Sequence, residues 1–160
     1  VQDALDMAAA GMDAEAICKK LEETGLDSTI YITVDTLKYL KKGGRITPAA
    51  AALGTLLRLK PVLTIQGEKL DAFAKARMMI TAITRDLENQ FDDMTGEKTY
   101  IDVAHTDNDE MAQELAAELR ELFPETEVRV EPLSLSVACH IGPGALAIAA
   151  TKKLEIGSLL

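Results

Sequence analysis

Lys98–Val130, KTYIDVAHTDNDEMAQELAAELRELFPETEVRV, decides the fold class. Tyr100, Ile101 and Val103 make 98–104 an apolar strand, and Thr126–Val130 alternates with the period of two that a strand requires. Between them Met111, Leu115, Leu119 and Leu122 recur at helical spacing, which predicts a helix burying those four residues. Asp107 and Glu110 form a capping-box pattern that opens the helix, and Pro124 closes it. Strand, helix and strand joined by short links predict a right-handed parallel crossover.

Working outward, Val62–Ile65 and Lys69–Ala74 flank the turn signal Gln66-Gly67-Glu68 and read as an antiparallel hairpin. From Arg77 the period lengthens, with Met79, Ile83, Leu87 and Phe91 specifying an amphipathic helix to about Met94. Ser28–Val34 alternates as a strand. On the C-terminal side Leu133, Leu135 and Val137 alternate with serines up to Cys139, an extended pattern. After His140-Ile141-Gly142-Pro143-Gly144, the apolar run Ala145–Lys153 fits either a short strand or a helix. Two alanine-containing helices lead in, Gln2–Ala10 ending at Gly11 and a second opened by Asp13 and stopped at Thr24-Gly25; both read as connectors. A hairpin beside a parallel unit gives an α/β fold with a mixed β-sheet packed with helices.

At 160 residues the chain fits one domain, or one plus a piece of another. Hydrophobic residues make up 48% and charged residues 27%, enough for a real core under a normal polar surface. Aromatics are only 4% and Trp is absent, so that core is aliphatic and alanine-rich. The net charge of -9, with no basic run longer than Lys41-Lys42, argues against nucleic acid and anionic membrane surfaces as partners. No run of eighteen apolar residues offers a membrane span. Cys18 and Cys139 stand in unlike contexts without zinc spacing, as free thiols do in a reducing cytoplasm. The chain opens at Val1 inside a helical pattern without an initiator Met, so a trimmed chain is expected.

Chemistry concentrates in two glycine-rich breaks. In Thr36–Pro61, a short amphipathic helix breaks at Gly43-Gly44, carries Arg45 on the break, and restarts at Thr47-Pro48, a good N-cap and first helical residue. The helix that follows, Ala49–Leu57, is mostly alanine, so a cation and a helix N-terminus sit at one end of a small-residue groove. That arrangement suits an anion with an apolar tail. The second break is His140–Gly144. Neither break is a P-loop or a dinucleotide fingerprint. The plain alternatives are a surface arginine in an inter-helix turn and a loop histidine bonded to backbone. Cys139-His140 is a poor nucleophile–base pair, because neighbours in an extended segment face opposite ways. Asp102, His105, Asp107 and Asp109 read as an Asx-rich helix start with a satisfied histidine rather than a metal cluster. Met78, Met79 and Met111 read as core. Lys38, Lys41 and Lys42 form either a solvated face or a docking patch.

Taken together, VDTLKYLKKGGRI (Val34–Ile46), LGTLLRLKPVL (Leu53–Leu63) and CHIGPGALA (Cys139–Ala147) resemble the C-terminal half of a DegV family protein. Gly11–Ile17 and Lys75–Arg77 are similar to further family segments. The resemblance implies a DegV-like C-terminal α/β domain at 27–160. It makes residues 1–26 inter-domain helices that end an N-terminal domain outside the sequence. It further implies a cytoplasmic, non-catalytic protein that buries one long-chain fatty acid between two domains. In the family the carboxylate is held by hydroxyls of the N-terminal domain, an arginine and a histidine, which here correspond to Arg45 and His140. Gly43, Gly44, Ile46, Gly142, Gly144, Leu53 and Leu56 would support the loops and the acyl groove. Ile141 departs from the family's usual Thr. The implied partner is a separate fatty acid kinase that phosphorylates the presented carboxylate; no cofactor or metal is implied beyond the bound fatty acid. The rival readings are a small-molecule phosphotransferase using the Arg45/His140 anion site and a structural dimerisation module.

Overall fold

The computed structural model describes residues 1–25, 28–50, 52, 61–66, 69–75, 79–90 and 98–154. Six strands, β1 (Ser28–Thr33), β2 (Pro61–Gln66), β3 (Lys69–Lys75), β4 (Thr99–His105), β5 (Glu127–Pro132) and β6 (Leu146–Lys152), form one sheet in the order β3-β2-β1-β6-β4-β5. Among the paired strands of the described residues only β4 and β5 run parallel, with Ile101 opposite Val128, as the strand–helix–strand reading requires. The β2–β3 hairpin is antiparallel in the expected place, pairing Gln66 with Lys69. The sheet is therefore mixed.

The undecided apolar run at 145–153 is β6, a central strand paired antiparallel with both β1 and β4. Leu146, Ala147, Ile148 and Ala150 are all buried, so the near-continuous apolar pattern belongs to a strand covered on both faces. Alternation divides the core into two. Tyr31, Val62, Ile101, Val103, Leu146 and Ile148 belong to one cluster, with Ile83 and Leu87 of α4 (Met79–Gln90) and Leu115 and Leu119 of α5 (Asp109–Leu122). Ile32, Val34, Leu63 and Ala147 belong to the other, with Leu37, Leu40, Ile46, Ala50 and Ile141. The second cluster brings in α3 (Lys38–Gly43) and α6 (Leu135–Ile141), which pack against each other. The two lead-in helices are α1 (Gln2–Ala9) and α2 (Ala14–Thr24), and Asp13 caps α2 by accepting from Ala16 N at 2.8 Å.

Three expectations are corrected. The capping box at the start of α5 does not form. The N-cap is Asn108, which makes no side-chain cap bond, and Asp107 sits one residue earlier at φ 49. The buried face of α5 is Ala112, Leu115, Ala116 and Leu119, while Met111 and Leu122 are 49% and 46% exposed. Small alanines let the helix lie close to the sheet, so the large side chains do not mark its inner face. Finally, 135–141 is a helix, not an extended run. It buries Ile141 and leaves Leu135 and Val137 exposed. Cys139 and His140 are successive residues of that helix, about 100° apart around its axis, rather than on opposite sides of a strand. The alanine helix expected at 49–57 and the helical continuation past Gln90 fall largely outside the described residues.

Candidate functional site

Strand register gathers the relevant loops at one end of the sheet. Leu146, at the start of β6, lies opposite both Thr33, at the end of β1, and His105, at the end of β4. The connection from β1 to α3, the loop after β4 and the loop from α6 into β6 therefore leave the sheet side by side.

The break at Gly43-Gly44 is a defined helix stop. Gly44, at φ 65, donates its N–H to Lys41 O at 3.2 Å, and Arg45 N donates to Leu40 O at 3.1 Å. These are the two bonds of a Schellman motif, which needs a residue with positive φ at this position. The chain then docks on the sheet edge. Leu70 N donates to Arg45 O, Thr47 N donates to Leu70 O, both at 3.0 Å, and Ile46 is buried. Thr47 caps the next helical turn by accepting from Ala50 N at 3.2 Å, as expected. Held at both ends, Arg45 keeps an exposed side chain whose Nη1 donates to Gly43 O at 2.7 Å.

His140 comes to the same place from the far end of the chain. A Cβ built on Gly43 would lie 3.6 Å from Arg45 Cδ and 3.7 Å from His140 Nδ1. The two sequence-predicted residues thus converge at Gly43, Arg45 from the stop just after α3 and His140 from the last turn of α6. Lys41 and Lys42 lie in the last turn of α3, so the neighbourhood is cationic despite the acidic chain.

The loop after His140 is fixed by residues that the sequence reading did not single out. Gly142 has φ 82 and ψ 177, and a Cβ there would lie 2.5 and 2.6 Å from the Tyr39 ring. Gly144, at φ 80, leaves room for the Asp35 carboxylate, whose Cγ would be 2.8 Å from an added Cβ. Asn108 Nδ2 donates to Gly144 O at 3.3 Å, and Thr106 bonds the loop repeatedly. Of these, Asp35 and Tyr39 lie inside the VDTLKYLKKGGRI motif, and Thr106 follows directly on a strand end, the one local signal it carries. Leu53 and Leu56 lie outside the described residues.

Two other clusters resolve as structural. His105 Nδ1 accepts from Asn108 N at 3.2 Å and its Nε2 lies 3.5 Å from Asp109 Oδ1, the satisfied histidine that was expected. Among the described residues no group of three or more His, Cys, Asp or Glu is placed to hold a metal. On the sheet face towards α1, a cleft of about 360 Å³ is lined by Asp3, Asp6, Tyr100, Glu127, Arg129 and Lys153. Its guanidinium is already occupied: Arg129 Nε and Nη2 donate to Asp102 at 2.8 and 3.1 Å, and Arg129 stacks 4.1 Å from the Tyr100 ring centroid. Burial, then the Asp3 charge, pushes the Tyr100 hydroxyl above its ordinary range against the pull of Arg129. Cys18 and Cys139 are both free and exposed. Among the described residues no helix is long and apolar enough to cross a membrane.

Comparison with known proteins finds relatives of this sequence and this fold. The profile of a family described as uncharacterised protein, DegV family, matches residues 1–153. The DegV domain-containing protein YqaC of Lactococcus lactis is 37% identical over 157 residues, covering 96% of this chain and 55% of that protein. Among solved structures, DegV from Bacillus subtilis, described as a fatty acid binding protein, superposes with a TM-score of 0.73 at 30% identity, over 94% of this chain and 54% of that one. A fatty acid binding DegV family protein from Streptococcus agalactiae gives 0.77 at 28% identity, over 96% and 55%. The chain spans about half the length of the relatives it matches.

Proposed function

This chain belongs to the DegV family, and from that premise we propose that it binds a long-chain fatty acid. Arg45 and His140 hold the carboxylate, at a site completed by hydroxyl groups of a second domain. The supporting observation is the convergence of those two side chains over Gly43. Arg45 and His140 are both exposed and both reach Gly43, so a guanidinium and an imidazole stand near one another as candidate donors to a carboxylate. The relatives described as fatty acid binding proteins share the fold at about this identity.

Burial of the tail dominates the affinity. A sixteen-carbon chain buried at about 0.8 kcal/mol per methylene contributes roughly 10 kcal/mol before the costs of association. A charge-assisted hydrogen bond from Arg45 contributes about 1.5–3 kcal/mol and orients the head group. In this reading 27–160 is the C-terminal α/β domain, and 1–26 leads to it from a preceding one. The protein is cytoplasmic, performs no chemistry of its own, and offers the carboxylate to a separate fatty acid kinase. The cationic end of α3 at Lys41 and Lys42 supplies a surface for such a partner.

Native mass spectrometry of the gene product at its natural length should show a co-purifying fatty acid. A clean apo mass with no uptake of added oleate would refute the reading. In the same protein Arg45→Ala should weaken oleate binding about 10- to 100-fold, and unchanged binding would remove Arg45 from the site.

A further inference from the structure

Thr106 makes four hydrogen bonds to the loop that follows His140. Its hydroxyl donates to Gly142 O at 2.6 Å and accepts from Ala145 N at 3.0 Å. Its backbone N–H donates to Ala145 O at 3.1 Å, and its carbonyl accepts from Gly144 N at 2.7 Å. The residue is 5% exposed, so these bonds form out of water, where leaving a partner unmet is costly. The Tyr39 ring also closes on Gly142, so tightly that a Cβ has no room. The backbone leaving α6 is thus pinned two residues after His140. Gly142 N also donates to Ala138 O at 2.8 Å, which ties the same point back to the body of the helix.

We propose that Thr106 is a positioning residue for His140: its hydroxyl, with the Tyr39 ring, sets where the imidazole stands over Gly43 beside Arg45. A threonine closing a loop at a strand end is ordinary. The specific feature is that its two side-chain bonds go to the residues bracketing Pro143-Gly144, in the segment that carries the end of α6. α6 is only seven residues long, and the buried Ile141 and the contact with α3 set which face it turns inward; the Thr106 bonds fix where its C-terminal end, next to His140, is held. The consequence for ligand binding rests on the carboxylate reading above; the positioning itself does not.

The chain has two histidines, so imidazole-selective NMR reads each separately. In the unmutated protein the His140 ring protons should show cross-relaxation to the Gly43 α-protons. Thr106→Val keeps the shape and removes both side-chain bonds; it should abolish those cross-peaks while the His105–Asn108 contact persists. Thr106→Ser keeps the hydroxyl and should restore them, with the Ala145 amide again protected from exchange. With the same substitutions made in the gene product at its natural length, oleate affinity should fall about tenfold in Thr106→Val and stay near wild type in Thr106→Ser. Wild-type cross-peaks in Thr106→Val, or their loss in Thr106→Ser, would overturn the proposal. Signals lost throughout Thr106→Val would overturn it too, since the hydroxyl would then hold the whole fold rather than the histidine. Displaced His140 with unchanged oleate binding would support the positioning and overturn the carboxylate role instead.

Discussion

Gly142→Ala tests the geometry of the His140 loop without reference to any ligand. Gly142 occupies φ 82, ψ 177, a region that residues with a Cβ essentially never enter, at a cost of about 1–3 kcal/mol. The added methyl would also meet the Tyr39 ring carbons at 2.5 and 2.6 Å, closer than real contacts allow, so the ring or the loop must move. Overpacking of this kind costs a further ~1 kcal/mol or more. Together they predict a loss of about 3 kcal/mol, or roughly 6–12 °C in melting temperature for a domain of this size. Urea unfolding followed by circular dichroism measures it. Tyr39 is 38% exposed, so Tyr39→Ala should cost little alone and give back the steric part, leaving Gly142→Ala in that background only the backbone cost. A Gly142→Ala protein within about 0.5 kcal/mol of wild type would refute the loop conformation. Equal losses in both backgrounds would show that the ring is not the obstacle.

Three further outcomes follow from the packing. Leu119→Ala should cost about 3 kcal/mol, whereas Met111→Lys should change stability by less than about 0.5 kcal/mol, because α5 buries the first and exposes the second; denaturation midpoints of both variants decide it. Asp102→Asn should cost only about 0.5–1 kcal/mol despite the bidentate geometry, since both partners are about a third exposed and solvent screens them; a double-mutant cycle with Arg129→Ala reads the coupling. Tyr100, whose folded pKa is raised above its unfolded value of about 10 chiefly by burial, contributes stability that is present below pH ~10 and lost as pH rises through the folded value. Wild type should therefore lose stability relative to Tyr100→Phe as the pH rises above about 10, and urea midpoints of the two proteins that stay parallel through that rise would contradict the assignment.

The strands were legible because their signal is local. β1, the hairpin and the β4–β5 pair each carry a period-two or apolar run bounded by turn residues, and the parallel pairing followed from the helix between them. Helix phase was not. In α5 the inner face contains two alanines, Ala112 and Ala116, while the conspicuous Met111 and Leu122 point outward. Counting large side chains therefore rotates the helix away from its true contact. In α6 seven residues span barely two turns, too few to show a helical period. The Leu133–Val137 alternation then imitates a strand.

For the site, the glycine at 44 was readable because a helix stop with positive φ is a chemical demand of the backbone at that point. The meeting of Arg45 with His140 is a different kind of fact. It exists because β6 inserts between β1 and β4, which brings the loop before β6 beside the connection after β1. Residue chemistry near either loop does not encode that insertion; only the resemblance of whole motifs pointed to it. Yet the composition that made β6 ambiguous also makes the meeting physically workable. Ala145 and Ala147 face the cluster that contains Leu37, Leu40 and Ile141. Small side chains there let two short helices settle close to the sheet and to each other. A β-branched strand would have been easier to recognise in sequence, and its bulk would hold α3 and α6 further from the sheet at the point where their ends meet over Gly43.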